Sequence, residues 1–170
     1  MVFSVAKRYN DQQIRFDFEL MDSIQILEFL EKDGIDAQGR TIEEIWRWDD
    51  AQWESEHDFI QWLFPLNEQS MAVRNSPVLS ADDIEQIIKS DVALRSLKSS
   101  TARFQLFLSR SSHWVRSYDH NHLRITRVIK SLRLLAGDNA ASDFKEWLSK
   151  RLGHDVFSIN EKSRKYWVDS

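Results

Sequence analysis

The sequence has no cysteine, and its 170 residues include only four glycines and two prolines. The lack of cysteine excludes disulfide bonds, thiolate nucleophiles and cysteine-ligated zinc. The glycines are scattered, so no glycine-rich loop is available to hold a phosphate group. No apolar run reaches the ~18 residues that a membrane-spanning helix needs, and charged residues interrupt the N-terminus too early for a secretory signal. These absences predict a soluble, cytoplasmic protein.

Aromatic side chains are abundant, with ten phenylalanines and seven tryptophans. Each aromatic side chain buries roughly 150–250 Å² in a folded protein, so this set can supply a large core. The chain is also long enough to bury most of its unfolded apolar surface. No repeat or low-complexity linker divides it. We therefore predict a single compact domain that covers residues 1–170.

Charge is distributed unevenly along the chain. Residues 1–85 contain 7 Lys and Arg against 19 Asp and Glu, whereas residues 86–170 contain 16 against 8. Either the two halves pack together, so that their fields partly cancel, or one of them presents a charged face to an oppositely charged partner. The sequence favours the first interpretation.

Helix signals follow one another along the whole chain. Side chains suited to capping a helix precede apolar residues spaced three and four apart, and alternating β-branched runs are few. The predicted fold is therefore all-α, an orthogonal bundle of about seven helices with at most one short β-hairpin. Helices are predicted to begin near Asp22 or Ser23, Thr41, Asp49 or Asp50, Ser80, Ser90, His120, and Asn139 or Ser142, with residues 153–170 as a tail or a terminal helix.

The helix predicted to run from Asp49 or Asp50 to Phe64 carries a carboxylate within its apolar face. At ~100° per residue, Glu56 falls among the apolar side chains of this helix, and His57 lies at their edge. An unpaired buried charge is very unfavourable, so a cationic partner is expected. The expected structural network comprises Glu54, Glu56, His57 and Gln61, with an ion pair from Glu54 or Glu56 to Arg124 or Arg127 of the helix that begins near His120.

Asp119, His120 and His122, with His113 nearby, are the candidates for a metal site. His120 and His122 are two residues apart, so they point to different sides of a helix, whereas helical ligand pairs favour spacings of three or four. No serine lies in a nucleophile-elbow sequence. We therefore predict no catalytic residue, no metal ligand set and no cofactor. A metal-dependent hydrolase is the least favoured alternative.

Two long motifs carry a family resemblance. The first, from Gly39 to Pro65, combines Gly-Arg-Thr, Trp-x-Trp-Asp and His-Asp-aromatic-Ile-Gln-Trp-Leu-Phe-Pro. The second, from His120 to Arg127, reads His-Asn-x-Leu-Arg-Ile-Thr-Arg. Together they resemble the conserved N-terminal domain of the opioid growth factor receptor family, with Phe59 in place of the usual tyrosine. The resemblance extends from about residue 29 to residue 152.

The resemblance implies a non-enzymatic receptor-like protein. Vertebrate members of the family are receptors for a short opioid pentapeptide and are associated with the nucleus and its membranes. For this chain, the resemblance therefore implies a peptide or protein partner. It also implies nuclear localisation and peripheral association with a membrane. The vertebrate proteins continue beyond this domain into a long extension with repeats.

The residues themselves favour a binding site where the Gly39–Asp50 segment meets the helix start at His120–Arg127. Aromatic and arginine side chains are enriched at the energetic centres of interfaces. Trp53 and Trp62 are assigned to the core, whereas either Trp46 or Trp48 is expected to be exposed. A peptide would offer an ammonium group to the carboxylates and an aromatic ring to the exposed tryptophan, although Asp49 and Asp50 can equally serve only as helix caps. The predicted ligand-binding residues are Trp46, Trp48, Asp49, Asp50, His120, Asn121, Arg124 and Arg127.

Nucleic acid is the second candidate partner. The basic half of the chain would provide the binding face, but it contains no recognised nucleic-acid-binding motif, so this alternative ranks lower. The residues that would contribute are Lys145, Lys150, Arg151, Lys162, Arg164 and Lys165.

Overall fold

Nine α-helices and one 3₁₀-helix are present in the described part of the chain, which is residues 25–74 and 76–170 of a computed structural model. The prediction of an all-α fold is confirmed. The predicted start of the first helix at Asp22 or Ser23 lies outside the described residues. The helices are α1 (25–31), α2 (Ile42–Arg47), α3 (Asp50–Ser55), α4 (Ile60–Leu63), α5 (Ala81–Lys89), α6 (Asp91–Arg110), α7 (Asn121–Ala136), α8 (Asp138–Leu152), the 3₁₀-helix (Gly153–Ser158) and α9 (Glu161–Asp169).

Side-chain caps set the starts of five of these helices. Each capping oxygen accepts a hydrogen bond from the backbone N–H three residues further on, which satisfies an amide that the helix itself leaves free. Four caps occupy predicted positions: Thr41 for α2, Asp49 for α3, Ser80 for α5 and Ser90 for α6. The fifth, Asn160, caps α9. The start of α8 was predicted at Asn139 or Ser142, but it lies at Asp138, directly after Gly137 with φ of 88°.

The single helix predicted from Asp49 or Asp50 to Phe64 is wrong, because this segment forms α3 and α4 with residues 56–59 between them. Arg124 of α7 lies against the break: its Nη1 donates to the carbonyl of Trp53 at 2.7 Å, and its Nη2 donates to the carbonyl of Glu56. In a continuous helix the Trp53 carbonyl would instead accept the amide of residue 57. The break leaves Glu56 exposed rather than within an apolar face. Together with α9, it raises the helix count above the predicted seven.

The core is built around aromatic rings from α3, α6 and α8. Phe104 stacks on Phe107 and Phe144, with ring centroids 6.1 and 6.4 Å apart, and on Trp53 at 6.2 Å. All four rings are at most 1% exposed. Trp62 is also buried, so the assignment of Trp53 and Trp62 to the core is confirmed.

The prediction that either Trp46 or Trp48 is exposed is wrong, because both are half-buried. The Trp46 Nε1 donates to the Ser100 hydroxyl of α6 at 2.9 Å. The Trp48 ring packs edge-on against Phe59, with centroids 5.3 Å apart. An indole can bury most of its surface while its N–H keeps a hydrogen-bond partner.

Helix α7 packs against α5, α6, α8 and α9. Its polar side chains also hold the α3–α4 segment: Arg127 Nε donates to the Phe64 carbonyl at 3.0 Å, and the Ser131 hydroxyl donates to the Pro65 carbonyl at 3.0 Å. The predicted packing of the Trp53–Phe64 segment on this helix is therefore confirmed.

Residues 66–74 and 76–79 form a loop between α4 and α5. A hydrogen bond from the Leu79 amide to the Leu66 carbonyl at 2.9 Å and an isolated parallel bridge between Leu66 and Val78 close it. In residues 25–74 and 76–170 this bridge extends into no strand, so the described fold has no hairpin.

Ion pairs join the acidic and basic halves of the chain. Asp50 pairs with Arg103 at 2.9 Å and with Arg110 at 3.7 Å, and Glu68 pairs with Lys130 at 2.8 Å. These contacts support the interpretation that the halves pack together and partly neutralise one another.

Candidate binding site at the start of α7

Arg124 is the polar centre of the junction between α7 and the α3–α4 segment. Besides the two carbonyls at the helix break, its Nη1 donates to Asn121 Oδ1 at 3.1 Å and its Nη2 lies 3.1 Å from His57 Nδ1. The guanidinium carbon lies 5.4 Å from the centre of the Phe59 ring. Burial lowers the pKa of Arg124 to about 10, although Glu54 and Asp119 offset part of this effect. The side chain is therefore still charged at neutral pH.

Glu54 lies beside this junction and gathers several donors. Its Oε2 accepts from Asn121 Nδ2 at 3.0 Å and lies 3.0 Å from His113 Nε2, while its Oε1 lies 3.5 Å from His120 Nε2. Burial would raise the pKa of Glu54, but the hydrogen bonds from Asn121 and His113 and the nearby imidazoles outweigh it, so the pKa is below its usual value. The carboxylate is consequently ionised and bound from within the domain.

His120 lies between two carboxylates and two cationic or basic groups. Its Nδ1 lies 3.7 Å from Asp119 Oδ1, and its ring contacts the ring of His57 edge-on, with centroids 5.1 Å apart. Burial lowers the pKa of His120, and repulsion from Arg124 and His57 lowers it further, whereas Glu54 and Asp119 offset only part of the shift. The imidazole is therefore neutral at neutral pH.

A second arginine organises the corner between α2 and α3. Arg103 of α6 donates through Nε to the Trp46 carbonyl at 3.2 Å, and through Nη2 to the Trp48 carbonyl at 2.7 Å and to Asp50 Oδ1 at 2.9 Å. Its guanidinium carbon also lies 4.7 Å from the centre of the Trp53 ring. Arg103 of α6 thus fixes the position of the main chain around Trp48.

Arg40 fixes the Trp48 ring itself. Its guanidinium carbon lies 5.2 Å from the centre of that ring, within cation–π range. The same guanidinium pairs with Asp36 at 2.6 Å and with Asp58 at 2.8 Å. Cation–π contact therefore already occupies one face of the indole.

Asp49 and Asp50 have different roles. Asp49 is exposed, and its Oδ1 accepts the Gln52 amide at 2.8 Å as the cap of α3. Asp50 instead forms the ion pairs with Arg103 and Arg110. Only the first of the two carboxylates therefore acts as the cap, which was one of the two predicted roles.

The predicted site residues fall into one connected group and three outliers. Contacts through the rings of Phe59 and His57 connect Trp48, Arg124 and His120, and Arg124 also binds Asn121. Asp49 and Asp50 follow Trp48 directly in the chain. Trp46 instead faces α6. Arg127 and Gln61 lie further along, where Arg127 binds the Phe64 carbonyl and Gln61 Nε2 lies 3.5 Å from the Ser70 hydroxyl.

The predicted ion pair from Arg124 or Arg127 to Glu54 or Glu56 is wrong. Within the described ranges both arginines donate to backbone carbonyls, and neither lies within 4.0 Å of a carboxylate oxygen. A carbonyl acceptor avoids the burial of a second charge, which makes it the less costly partner for a buried guanidinium. Asn121 stands between Arg124 and Glu54 and hydrogen-bonds to both.

Several residues of the junction were not predicted from the sequence. Arg103 had a detectable signal, because it adjoins the buried Phe104 in the middle of an amphipathic helix. His113 and Asp119 were considered only as metal ligands, whereas they bind Glu54 and the Asn121 amide respectively. Their contacts depend on how the 111–120 segment packs against α3 and the start of α7, which no local sequence pattern indicates.

The metal-site alternative is not supported by the described residues, in which no three His, Cys, Asp or Glu side chains converge closely enough to hold an ion. His122 points away from His120, as its spacing predicted. Its Nε2 lies 2.9 Å from the Trp114 carbonyl, and its ring packs edge-on against Trp167.

The fold and this junction define the class of protein: an all-α domain with an aromatic core, in which short helices around Trp48 and Trp53 are held by arginines of longer helices. The conserved region of the opioid growth factor receptor (OGFr) family matches residues 27–109. This match confirms the predicted resemblance to the opioid growth factor receptor family. The second motif, His120–Arg127, lies beyond the matched region.

Three vertebrate proteins show the extent of the similarity. Opioid growth factor receptor-like protein 1 of Mus musculus is 28% identical over 95% of this chain and 40% of its own length. The protein of that name in Xenopus tropicalis is 33% identical over 65% of this chain and 25% of its length. The opioid growth factor receptor of Rattus norvegicus is 32% identical over 76% of this chain and 26% of its length. This chain therefore spans well under half of these relatives.

No solved structure matches the chain. Across residues 25–74 and 76–170, none of the helices has both the length and the apolar character needed to cross a membrane.

Proposed function

We propose that this domain is a non-enzymatic binding module for a short peptide segment, and that the segment binds beside Trp48, Asp49 and the His57–His120 pair. The observation that carries the proposal is the combination of partly accessible recognition groups with a fixed base. Trp48, His57 and His120 are at least partly exposed, while Arg103 and Arg124 beneath them hold the main chain in place. A site that is already ordered loses little conformational freedom when its ligand binds.

The charges of the site indicate which chemical groups of a peptide it could bind. Asp50, Asp58 and Glu54 already bind groups of the domain itself. Asp49 and Glu56 are exposed carboxylates that form no ion pair in the described structure. We expect these two to attract the ammonium group of a peptide N-terminus, and the part of Trp48 that Arg40 leaves free to contact an aromatic side chain.

The name of one relative supports the proposal of a peptide ligand. The rat protein is named as a receptor for an opioid growth factor, and this chain spans 26% of its length. A peptide-binding role for this domain is consistent with that name. The proposal rests on the site residues, since the similarity covers only part of each relative.

Nucleic acid is less well supported as the partner. Several cations of the basic half are engaged within the domain: Lys130 with Glu68, Arg133 with Asp138 and Lys150 with Glu146. Pairing of this kind weakens the positive field that would attract a polyanion.

Calorimetric titration of the whole chain with short peptides tests the proposal. A peptide with a free N-terminus and an aromatic side chain should bind, whereas its acetylated form and a form with alanine in place of the aromatic residue should bind at least about tenfold more weakly. Asp49→Asn keeps the helix cap but removes the charge, and Trp48→Ala removes the indole. Both variants should weaken binding by a similar factor.

Matched variants control for general effects. Asp82→Asn removes an exposed first-turn carboxylate of α5, and Trp147→Ala removes a half-buried tryptophan of α8. Both should bind as the parent does. Equal binding by the parent, Trp48→Ala and Asp49→Asn would remove this site from consideration. Salt-sensitive binding of an oligonucleotide, unaffected by Trp48→Ala, would support the nucleic-acid alternative instead.

A further inference from the structure

His57 connects the α3–α4 break to α7 in a way that depends on its protonation. Its Nδ1 lies 3.1 Å from Arg124 Nη2. A guanidinium has only N–H donors, so Nδ1 must accept this hydrogen bond and therefore carries no proton. Addition of a proton at Nδ1 would remove the acceptor and place two cations side by side.

His120 couples to the same contact. Its ring lies edge-on to His57, with centroids 5.1 Å apart, at the position that precedes α7. A proton on both imidazoles would place the positive charges of His57 and His120, which are exposed, next to the buried guanidinium of Arg124. Like charges this close repel one another more strongly than they would in bulk water.

The carboxylates that face the cluster are already shared with other donors. Glu54 also binds His113 and Asn121. Asp119 also binds Arg116 at 2.7 Å and the Asn121 amide at 2.9 Å. These two carboxylates therefore have limited capacity to neutralise an additional proton on both histidines.

We propose that His57 and His120 form a proton-sensitive latch between the α3–α4 break and the start of α7, closed when both imidazoles are neutral and released when they are protonated. The latch follows from contacts within the domain and needs no ligand, so it goes beyond the proposed function. It can be tested on the unliganded chain, and its failure would leave the peptide-binding proposal untouched.

The sign of the pH effect follows from proton linkage. The pKa of His120 in the folded chain is below its ordinary value of 6.5, so the unfolded chain binds more protons than the folded chain as the pH falls past that value. Stability is therefore full above about pH 6.5 and decreases below it. The pKa values of Glu54 and Asp119 are lowered from 4.5 and 3.8, so both carboxylates stay ionised above pH 5. Between about pH 7.5 and about pH 5.5 these two carboxylates therefore keep their charge.

Urea unfolding of the full chain at these two pH values tests the latch. The parent should show a several-fold decrease in its folding equilibrium constant at the lower pH. A double variant, His57→Gln with His120→Gln, keeps polar side chains that cannot be protonated and should lose most of that decrease. The control is His154→Gln, at an exposed histidine of the 3₁₀-helix, which should retain the decrease. An equal decrease in the double variant and the control would overturn the proposal.

Hydrogen exchange of the parent gives a second measurement that does not depend on a variant. After correction for the intrinsic pH dependence of exchange, amides of residues 56–64 and 120–127 should lose protection at the lower pH, while amides of α8 keep theirs. Unchanged protection in the two segments, or an equal loss throughout the chain, would contradict a local latch.

Discussion

Replacement of Arg124 by methionine is the most direct test of how the domain is held together. The side chain is 5% exposed and binds the carbonyls of Trp53 and Glu56, the amide oxygen of Asn121 and the imidazole of His57. Methionine has a similar length and fills irregular space well, so the substitution removes the donors while it keeps much of the packing.

The expected magnitude is the difference between two opposing effects. Hydrogen bonds from a charged donor contribute about 1.5–3 kcal/mol each, and the loss of several leaves buried acceptors without a partner. The variant also no longer buries a guanidinium, which recovers several kcal/mol of desolvation free energy. We expect a net loss of about 2–4 kcal/mol, or roughly 5–15 °C in Tm for a domain of this size.

Urea unfolding followed by tryptophan fluorescence, and thermal melting followed by circular dichroism, would measure this loss. Arg110→Met provides the matched control, because Arg110 is 58% exposed in its side chain and lies 3.7 Å from Asp50. Its removal should change the free energy of unfolding by less than about 0.5 kcal/mol. If Arg124→Met melts within about one degree of the parent, the buried arginine does not hold the helix break and this account of the junction is wrong.

Two further substitutions test separate parts of the structure. Gly34→Ala would bring a Cβ within 2.8 Å of the Phe29 backbone nitrogen, so it should lower the free energy of unfolding by about 1–3 kcal/mol. Gly39→Ala should have a smaller effect, because its φ of 78° is strained for alanine but no atom lies within 4 Å of the added Cβ. Urea titration of both variants measures this order, and the reverse order would contradict it. The pKa of Glu54 in the folded chain is depressed, so this carboxylate stabilises the fold above about pH 4.5 and progressively less below it. Glu54→Gln should therefore reduce the loss of stability on acidification from about pH 5.5 to about pH 3. Acid unfolding of the parent and the variant would show this, and superimposable curves would argue against it.

Local sequence signals predicted most of the fold because most of its determinants are local. The caps at Thr41, Asp49, Ser80 and Ser90 act within three residues, and the apolar spacings of the long helices follow directly from helix geometry. The break between α3 and α4 could not be predicted in this way. It depends on Arg124, about seventy residues away, whose contact with the Trp53 carbonyl exists only in the folded chain.

The sequence predicted which segments of the candidate site come together, but not the contacts between them. The sequence indicated that the Gly39–Asp50 segment and the His120 helix start would come together, and that Arg124 or Arg127 would bind a polar group of the Trp53–Phe64 segment. It did not indicate which acceptors the arginine would choose, because spacing along a helix shows direction but not the polar groups of the facing segment. The ion pair with Glu54 was therefore expected where Asn121 and two carbonyls are present.

Arginines of the long helices bind the ends of the three short helices. Arg103 binds carbonyls at the end of α2, Arg124 at the end of α3 and Arg127 at the end of α4. Helices of four to six residues are unstable alone, and their last carbonyls lack partners and carry partial negative charge. A cation from a long helix satisfies those carbonyls, and Arg103 also pairs with Asp50. The long helices α6 and α7 thereby determine where each short helix ends, and with it the position of Trp48 and His57 at the surface.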